Sequence, residues 1–209
     1  MIEGEGGAKI FVRERCDGAA FHKLETLVSL LVDENEHQNL IAKSSIDQIW
    51  LRHIADSIQL LDHVSRETGS WLDLGSGAGF PGLVIAVARP AMSVRLVESR
   101  RLRIEWLRHA AGQLGLKNCE VDGCDVKALP EFSVDVISAR AFAPMIRLVS
   151  LSARFSTPET RWVLPKGRNA WQDVNTLDAE HREMFHVEPS CTDPEAGIVI
   201  GKGKLELAT

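Results

Sequence analysis

A short apolar segment, Trp71-Leu-Asp-Leu74, runs directly into glycines at 75, 77, 79 and 82, and this junction constrains the fold more than any other part of the chain. A strand that ends in a glycine-rich turn at a helix start lets backbone approach a ligand closely, because glycine has no Cβ and accepts left-handed dihedrals. Read from Gly77, the segment spells G-x-G-x-x-G, the pattern of a dinucleotide loop. Read from Asp73, it spells D-x-G-x-G-x-G through Gly75, Gly77 and Gly79, which points instead to S-adenosylmethionine.

The surroundings of that turn predict a α/β fold. Residues 1–18 show no clear periodicity and are expected to be loose. Apolar residues then recur at helical spacing, Phe21, Leu24, Leu27, Val28 and Leu31, and again between Ile46 and Val64. Residues 1–65 therefore read as an N-terminal helical cap, and residues 66–209 as the ligand-binding domain. Within the latter, strands are expected at Trp71–Leu74, Val94–Val97, Cys119–Val121, Val134–Ile137 and Arg161–Leu164. Helices are expected from Pro81 to Ala88, over 100–114, from Met145 to Ala153 and over 169–182, with Pro81 in the first turn. Two late strands, Met184–Val187 and Ile198–Ile200, lie close enough for an antiparallel hairpin. Strands spaced by helices imply a mostly parallel, doubly wound sheet. With a terminal antiparallel hairpin, this is the Rossmann-like class I methyltransferase variant rather than that of a dehydrogenase.

In such sheets ligands sit beyond the carboxyl ends of the strands. Glu98 ends the second strand, where a carboxylate can accept both ribose hydroxyls of an adenosine ligand. Asp73 can organise the turn and face the cationic methionine end of a cofactor. Phe80 and Pro81 put a ring and an imino acid where a pyrophosphate wants N–H donors. These features favour S-adenosylmethionine over NAD, while Gly82 reads equally well as a packing residue. The loop after the fourth strand, Ser138-Ala-Arg-Ala-Phe-Ala-Pro144, lacks the Asn/Asp-Pro-Pro-aromatic pattern of amine methylation, and no cysteine follows the fourth or fifth strand. An acceptor that needs neither, such as guanine N7, fits catalysis by positioning; a small-molecule nucleophile fits too.

Composition narrows the setting. The 209 residues, 44% hydrophobic, suffice for one sizeable core. No apolar run approaches the ~18 residues of a membrane span, and the acidic, glycine-rich start lacks a signal peptide's basic and apolar regions, so a cytoplasmic protein is expected. Cys16, Cys119, Cys124 and Cys191 lack metal-ligand spacing, and no metal is expected. The net charge of −5 does not suggest a general nucleic-acid binder, although Arg100, Arg101, Arg103 and Arg108 cluster on one helix.

Several segments, in order along residues 38–167, resemble one family closely: Asn39-Leu-Ile-Ala42, Arg52-His-Ile-Ala-Asp-Ser57, Leu72 to Gly82 with its Gly-Phe-Pro-Gly ending, Val97-Glu-Ser99, Leu114-Gly-Leu-Lys-Asn118, Ser138-Ala-Arg-Ala-Phe-Ala143 and Lys166-Gly167. The chain is similar to the glucose-inhibited division protein B family, the small-subunit (16S) ribosomal RNA guanine-N7 methyltransferases. The resemblance implies cofactor contacts at Gly75, Phe80, Val126, Lys127 and Arg140. Lys127 stands where the family commonly carries an acidic residue. The resemblance also implies that Arg52, His53, Asp56 and Ser57 lie near the cofactor mouth; Arg140 and Lys166 follow successive central strands, so they are expected to face the same crevice and help hold RNA phosphate or base near the methyl group. The competing readings are an NAD-dependent oxidoreductase and a non-catalytic ribosome-binding module.

Overall fold

The structure is a computed structural model, and residues 1–205 are described; the last four residues of the expected 66–209 domain lie outside them. Seven strands form one sheet in the order β3-β2-β1-β4-β5-β7-β6. They are β1 (Ser70–Leu74), β2 (Ser93–Val97), β3 (Cys119–Asp122), β4 (Val136–Ala139), β5 (Arg161–Lys166), β6 (Phe185–Pro189) and β7 (Gly197–Lys202). The strands from β3 to β5 pair in parallel. β7 inserts antiparallel between β5 and β6, which supplies the expected terminal hairpin.

Alternation along the strands builds two cores. Trp71, Val94, Leu96, Val136, Val163, Ile198 and Ile200 point to one face, and Leu72, Leu74, Val97, Ile137, Trp162, Leu164 and Val199 to the other. The first face is covered by α1 (Gly4–Arg13), α2 (Gly18–Asn35), the helical stretch from Lys43 to His63 that contains α3 (Asp56–Ile58), α4 (Gly82–Ala88) and α5 (Arg101–Gln113). The second packs against α6 (Met145–Ser152) and α7 (Ala170–Asn175). A final helix, α8 (Ala179–Glu183), precedes β6.

Several local expectations are corrected. Residues 1–18 are not loose: α1 forms there and buries Ala8 and Val12, four residues apart on one face. Three glycines in its first turn hide it from propensity arguments. The stretch expected as a second regular helix is irregular, with 3-10 turns at Lys43–Gln48 and Gln59–His63 around a π-helical segment, Trp50–Ala55. Pro81 precedes α4 as its cap residue, after a cis peptide bond from Phe80. The helix expected over 169–182 breaks in two, because the Asp178 carboxylate accepts from His181 N at 2.9 Å and starts a new N-terminus. The fourth strand begins two residues late: the Asp135 carboxylate instead accepts from Gly69 N and Ser70 N, each at 2.9 Å. β5 continues through Pro165, which lies past the last β4–β5 pair, Ser138↔Val163, and stands opposite Ile198 of β7 on its other side.

Candidate active site

β1 delivers the glycine turn to the carboxyl edge of the sheet. At Gly75 the backbone has φ +68°, and a Cβ would collide with the Phe142 ring, so only glycine fits. Asp73, in β1, is fully buried. Its Oδ1 accepts from Ser138 Oγ at 2.8 Å and its Oδ2 from Gly82 N at 3.2 Å. Ser138 in turn accepts from Trp71 Nε1 at 2.7 Å. Burial pushes Asp73 up to about 6, against these hydrogen bonds. Both oxygens are engaged inside the protein, where they tie β1, β4 and the start of α4 together, and Asp73 does not line the cleft described next. Gly82 is a packing residue, since a Cβ there would strike Leu96 and approach Asp73 Oδ2 to 2.8 Å.

Glu98, at the end of β2, accepts from Gly77 N at 3.1 Å, Ser99 N at 2.8 Å and Arg100 N at 2.9 Å. It lines a cleft of about 220 Å³ with Gly75, Cys124, Asp125, Val126 and Phe142. Ser99 N and Arg100 N take both lone pairs of Oε1 and Gly77 N takes one of Oε2, so Glu98 holds the turn and keeps room for one ribose hydroxyl, not the expected two. The apolar walls of Val97 and Val126 suit a base, so the residues present fit an adenosine group. Gly77 supports this cleft through its bond to Glu98, and Gly79 closes the turn by donating from its N to Ser76 O at 2.7 Å. Lys127 stands apart: its side chain is exposed, it does not line the cleft, and its N–H is taken by Asp125 Oδ1 at 2.8 Å. The acidic residue of the loop after β3 that reaches the cleft is Asp125, which sequence reasoning passed over.

A larger cavity of about 780 Å³ opens beyond the ends of β4 and β5, and it shares Ala141 and Phe142 with the cleft. Ala141 has φ +51°, rare for a residue with a Cβ, at the junction of the two spaces. Arg52, His53, Asp56, Arg140 and Lys166 all line this cavity. Ser57 does not; it is buried and donates to the His53 carbonyl at 2.6 Å.

Arg140 is held from three sides. Its Nη1 donates to His53 Nδ1 at 3.2 Å and to the Arg52 carbonyl at 3.4 Å, and lies 3.6 Å from Asp56 Oδ2. A guanidinium only donates, so Nδ1 carries the lone pair and Nε2 donates to Ser45 Oγ, 3.0 Å away. The His53 ring also stacks on Phe80, centroids 5.0 Å apart, and Phe80 itself is buried beneath it. Burial, then the charges of Arg140 and Arg52, lower the His53 pKa to about 3. The imidazole is thus neutral, with both nitrogens occupied. Burial raises the Asp56 pKa, opposed chiefly by Arg140; Asp56 Oδ1 accepts from Thr192 Oγ1 at 2.8 Å and Gln59 Nε2 at 2.9 Å. Lys166 Nζ pairs with Asp173 Oδ2 at 3.0 Å. Thr192 comes from the β6–β7 loop and Asp173 from α7; neither carries a sequence signal, since only folding brings them to this cavity.

Strand order, an acidic residue ending β2 beside the glycine turn, and a second cavity meeting that cleft define a class I S-adenosylmethionine-dependent methyltransferase. Similarity to known structures agrees on the fold: ribosomal protein L11 methylase from Lactobacillus delbrueckii subsp. bulgaricus superposes with TM-score 0.58 at 13% identity, covering 71% of this chain and 77% of that one. The Methanococcus jannaschii fibrillarin pre-rRNA processing protein superposes with TM-score 0.53 at 16% identity, covering 69% and 70%. The chain belongs to the family described as GidB, rRNA small subunit methyltransferase G, whose model matches residues 20–191. It is 55% identical over 204 residues to ribosomal RNA small subunit methyltransferase G of Erythrobacter litoralis, covering 98% of this chain and 99% of the relative. The corresponding protein of Novosphingobium aromaticivorans is 52% identical over 200 residues, covering 93% and 86%.

Proposed function

We propose that this protein transfers a methyl group from S-adenosylmethionine to N7 of a guanine in small-subunit (16S) ribosomal RNA, in the cytoplasm. The observation that carries the reading is the meeting of two spaces at Ala141 and Phe142, one suited to an adenosine and one large enough for a nucleotide. Bound in the first, the cofactor supplies an electrophilic methyl group on a sulfonium. The protein's own work is positioning. Glu98, Gly75 and Val126 hold the adenosine portion, while Asp73, Gly77, Gly79 and Phe80 fix the turn and floor around it. Arg140, Arg52 and Lys166 carry positive charge into the second cavity, where RNA phosphate or base oxygen would be met. No general base is required, because N7 presents a lone pair in the ring plane. The engaged, neutral His53 accords with that: it orients Arg140 rather than moving a proton.

An NAD-dependent oxidoreductase is not favoured, since Phe80 and Pro81 occupy the turn where a pyrophosphate would need donors. A non-catalytic ribosome-binding module would not need the intact Glu98 cleft. We read residues 1–65 as the cap that brings Arg52 and His53 to the site, and residues 66–209 as the methyltransferase domain. No helix among the described residues is long and apolar enough to cross a membrane, and no group of three or more His, Cys, Asp or Glu among them could hold a metal. The test is to map N7-methylguanosine in small-subunit rRNA from cells with and without the protein. One guanine should lose its methyl group when the protein is absent; an unchanged map would sink the proposal.

A further inference from the structure

The carboxyl ends of β1, β4 and β5 stand side by side, and each leads into the site. The registers Leu74↔Ala139 and Ser138↔Val163 keep the three ends nearly level. Neighbouring strands are about 4.8 Å apart. Lys166, at the end of β5, therefore lies about two strand spacings from the glycine turn, with Arg140 to Phe142 between them. The cavity of about 780 Å³ that Arg140, Phe142 and Lys166 line is large enough for one purine ring system.

Lys166 meets Asp173 at 3.0 Å, with the lysine side chain only 11% exposed and the aspartate 33%. Asp173 Oδ1 accepts no side-chain or backbone hydrogen bond among the described residues, whereas Asp56 is engaged through both oxygens and Asp193 through one, and of the three Asp173 is the one paired with a lysine. Asp56 accepts from Thr192 and Gln59 and faces Arg140. Asp193 Oδ1 accepts from Glu195 N at 3.0 Å. The pair thus presents a fixed donor beside an open acceptor at the far wall of the cavity. Guanine offers the matching edge, with the O6 acceptor beside the N1–H and N2–H donors. Adenine offers an amino donor where guanine has O6 and an acceptor at N1, so its edge would meet the pair with every sign reversed.

We propose that Lys166 and Asp173 read the guanine: Nζ donates to O6 and the carboxylate accepts from N1–H and N2–H. N7 lies across the ring system from N2, so this grip turns N7 toward Ala141 and Phe142, where the two spaces meet. The inference rests on the guanine-N7 reading above and assigns its base specificity to this pair.

Labelled-methyl transfer to small ribosomal subunits from cells lacking the protein tests this, with S-adenosylhomocysteine affinity measured on the same preparations. Asp173→Asn replaces one acceptor by a donor. It is expected to lower kcat/KM for the subunit about 10- to 100-fold, as losing a hydrogen bond to a charged group does, while S-adenosylhomocysteine affinity stays unchanged. Subunits reconstituted with inosine at the methylated position lack only the 2-amino group. They should be similarly poor substrates for the wild-type protein, and Asp173→Asn should lose little more on them, the signature of a shared contact. Three results overturn the proposal: wild-type rates from Asp173→Asn, losses on the two changes that simply multiply, or loss of S-adenosylhomocysteine affinity in step with activity, which marks a purely structural pair. Wild-type protein that leaves guanine-bearing subunits unmethylated overturns the guanine-N7 reading, and this inference with it.

Discussion

At the scale of single residues the cavity wall is built around a histidine whose two ring nitrogens are both engaged. His53 gives its Nδ1 lone pair to Arg140 and its Nε2 proton to Ser45, and the stacked Phe80 ring fixes its plane. Neutrality is what allows this, since a protonated ring would present a second donor to a guanidinium. The two nitrogens can be separated experimentally. Asn at position 53 places an amide oxygen near the Nδ1 site, whereas Gln reaches toward the Nε2 site. His53→Asn should therefore keep most of the methyl-transfer rate, and His53→Gln should lose roughly tenfold or more in kcat/KM, the worth of a charge-assisted hydrogen bond. Equal losses in the two variants would show that ring volume, not the bond to Arg140, is what matters.

At the scale of elements, the π-helical segment Trp50–Ala55 is held in place by a helix distant in sequence. The Glu5 carboxylate of α1 accepts from Trp50 N at 3.0 Å and Leu51 N at 2.8 Å. It satisfies two N–H groups at the start of the turn that carries Arg52 and His53. Glu5→Ala should cost about 1–2 kcal/mol of stability, as the loss of a helix cap does, and should lower methyl transfer by loosening that turn. Urea unfolding and a rate assay on the same variant check it, and unchanged values in both would remove Glu5 from the site's support. This device was illegible in the sequence because a carboxylate that caps a remote backbone leaves no periodic trace. The sheet, by contrast, was legible: β1 with its glycine turn, Glu98 at the end of β2 and the late hairpin each follow from local pattern. The cleft could be read as far as Gly75, Glu98 and Val126. Phe142 over Gly75, Asp173 beside Lys166 and Thr192 on Asp56 could not, because each is a contact between elements whose separation only the folded sheet sets.

At the scale of the whole molecule, one core runs unbroken from α1 through the sheet face of Trp71 and Val136, so protonation at the site is felt as global stability. Two buried groups act with opposite signs. The pKa of His53 falls from its ordinary 6.5 to about 3 on folding, so its contribution is fully present above about 6.5 and is lost as pH falls toward 3. The pKa of Asp73 rises from 3.8 to about 6, so its contribution is fully present below about 3.9 and is lost as pH rises through 6. Between these limits the two slopes offset one another in the intact protein. Removing either group exposes the other. Measured by urea unfolding against pH, the stability of His53→Asn relative to wild type should improve as pH falls from 6.5 toward 4, because the variant no longer resists protonation. The stability of Asp73→Asn relative to wild type should worsen over the same interval, because the variant lacks the carboxyl whose proton uptake in the folded state stabilises the wild type as pH falls. Parallel or flat difference curves for the two variants would mean that neither burial shifts the proton balance of folding, and that the neutral state of His53 has some other cause.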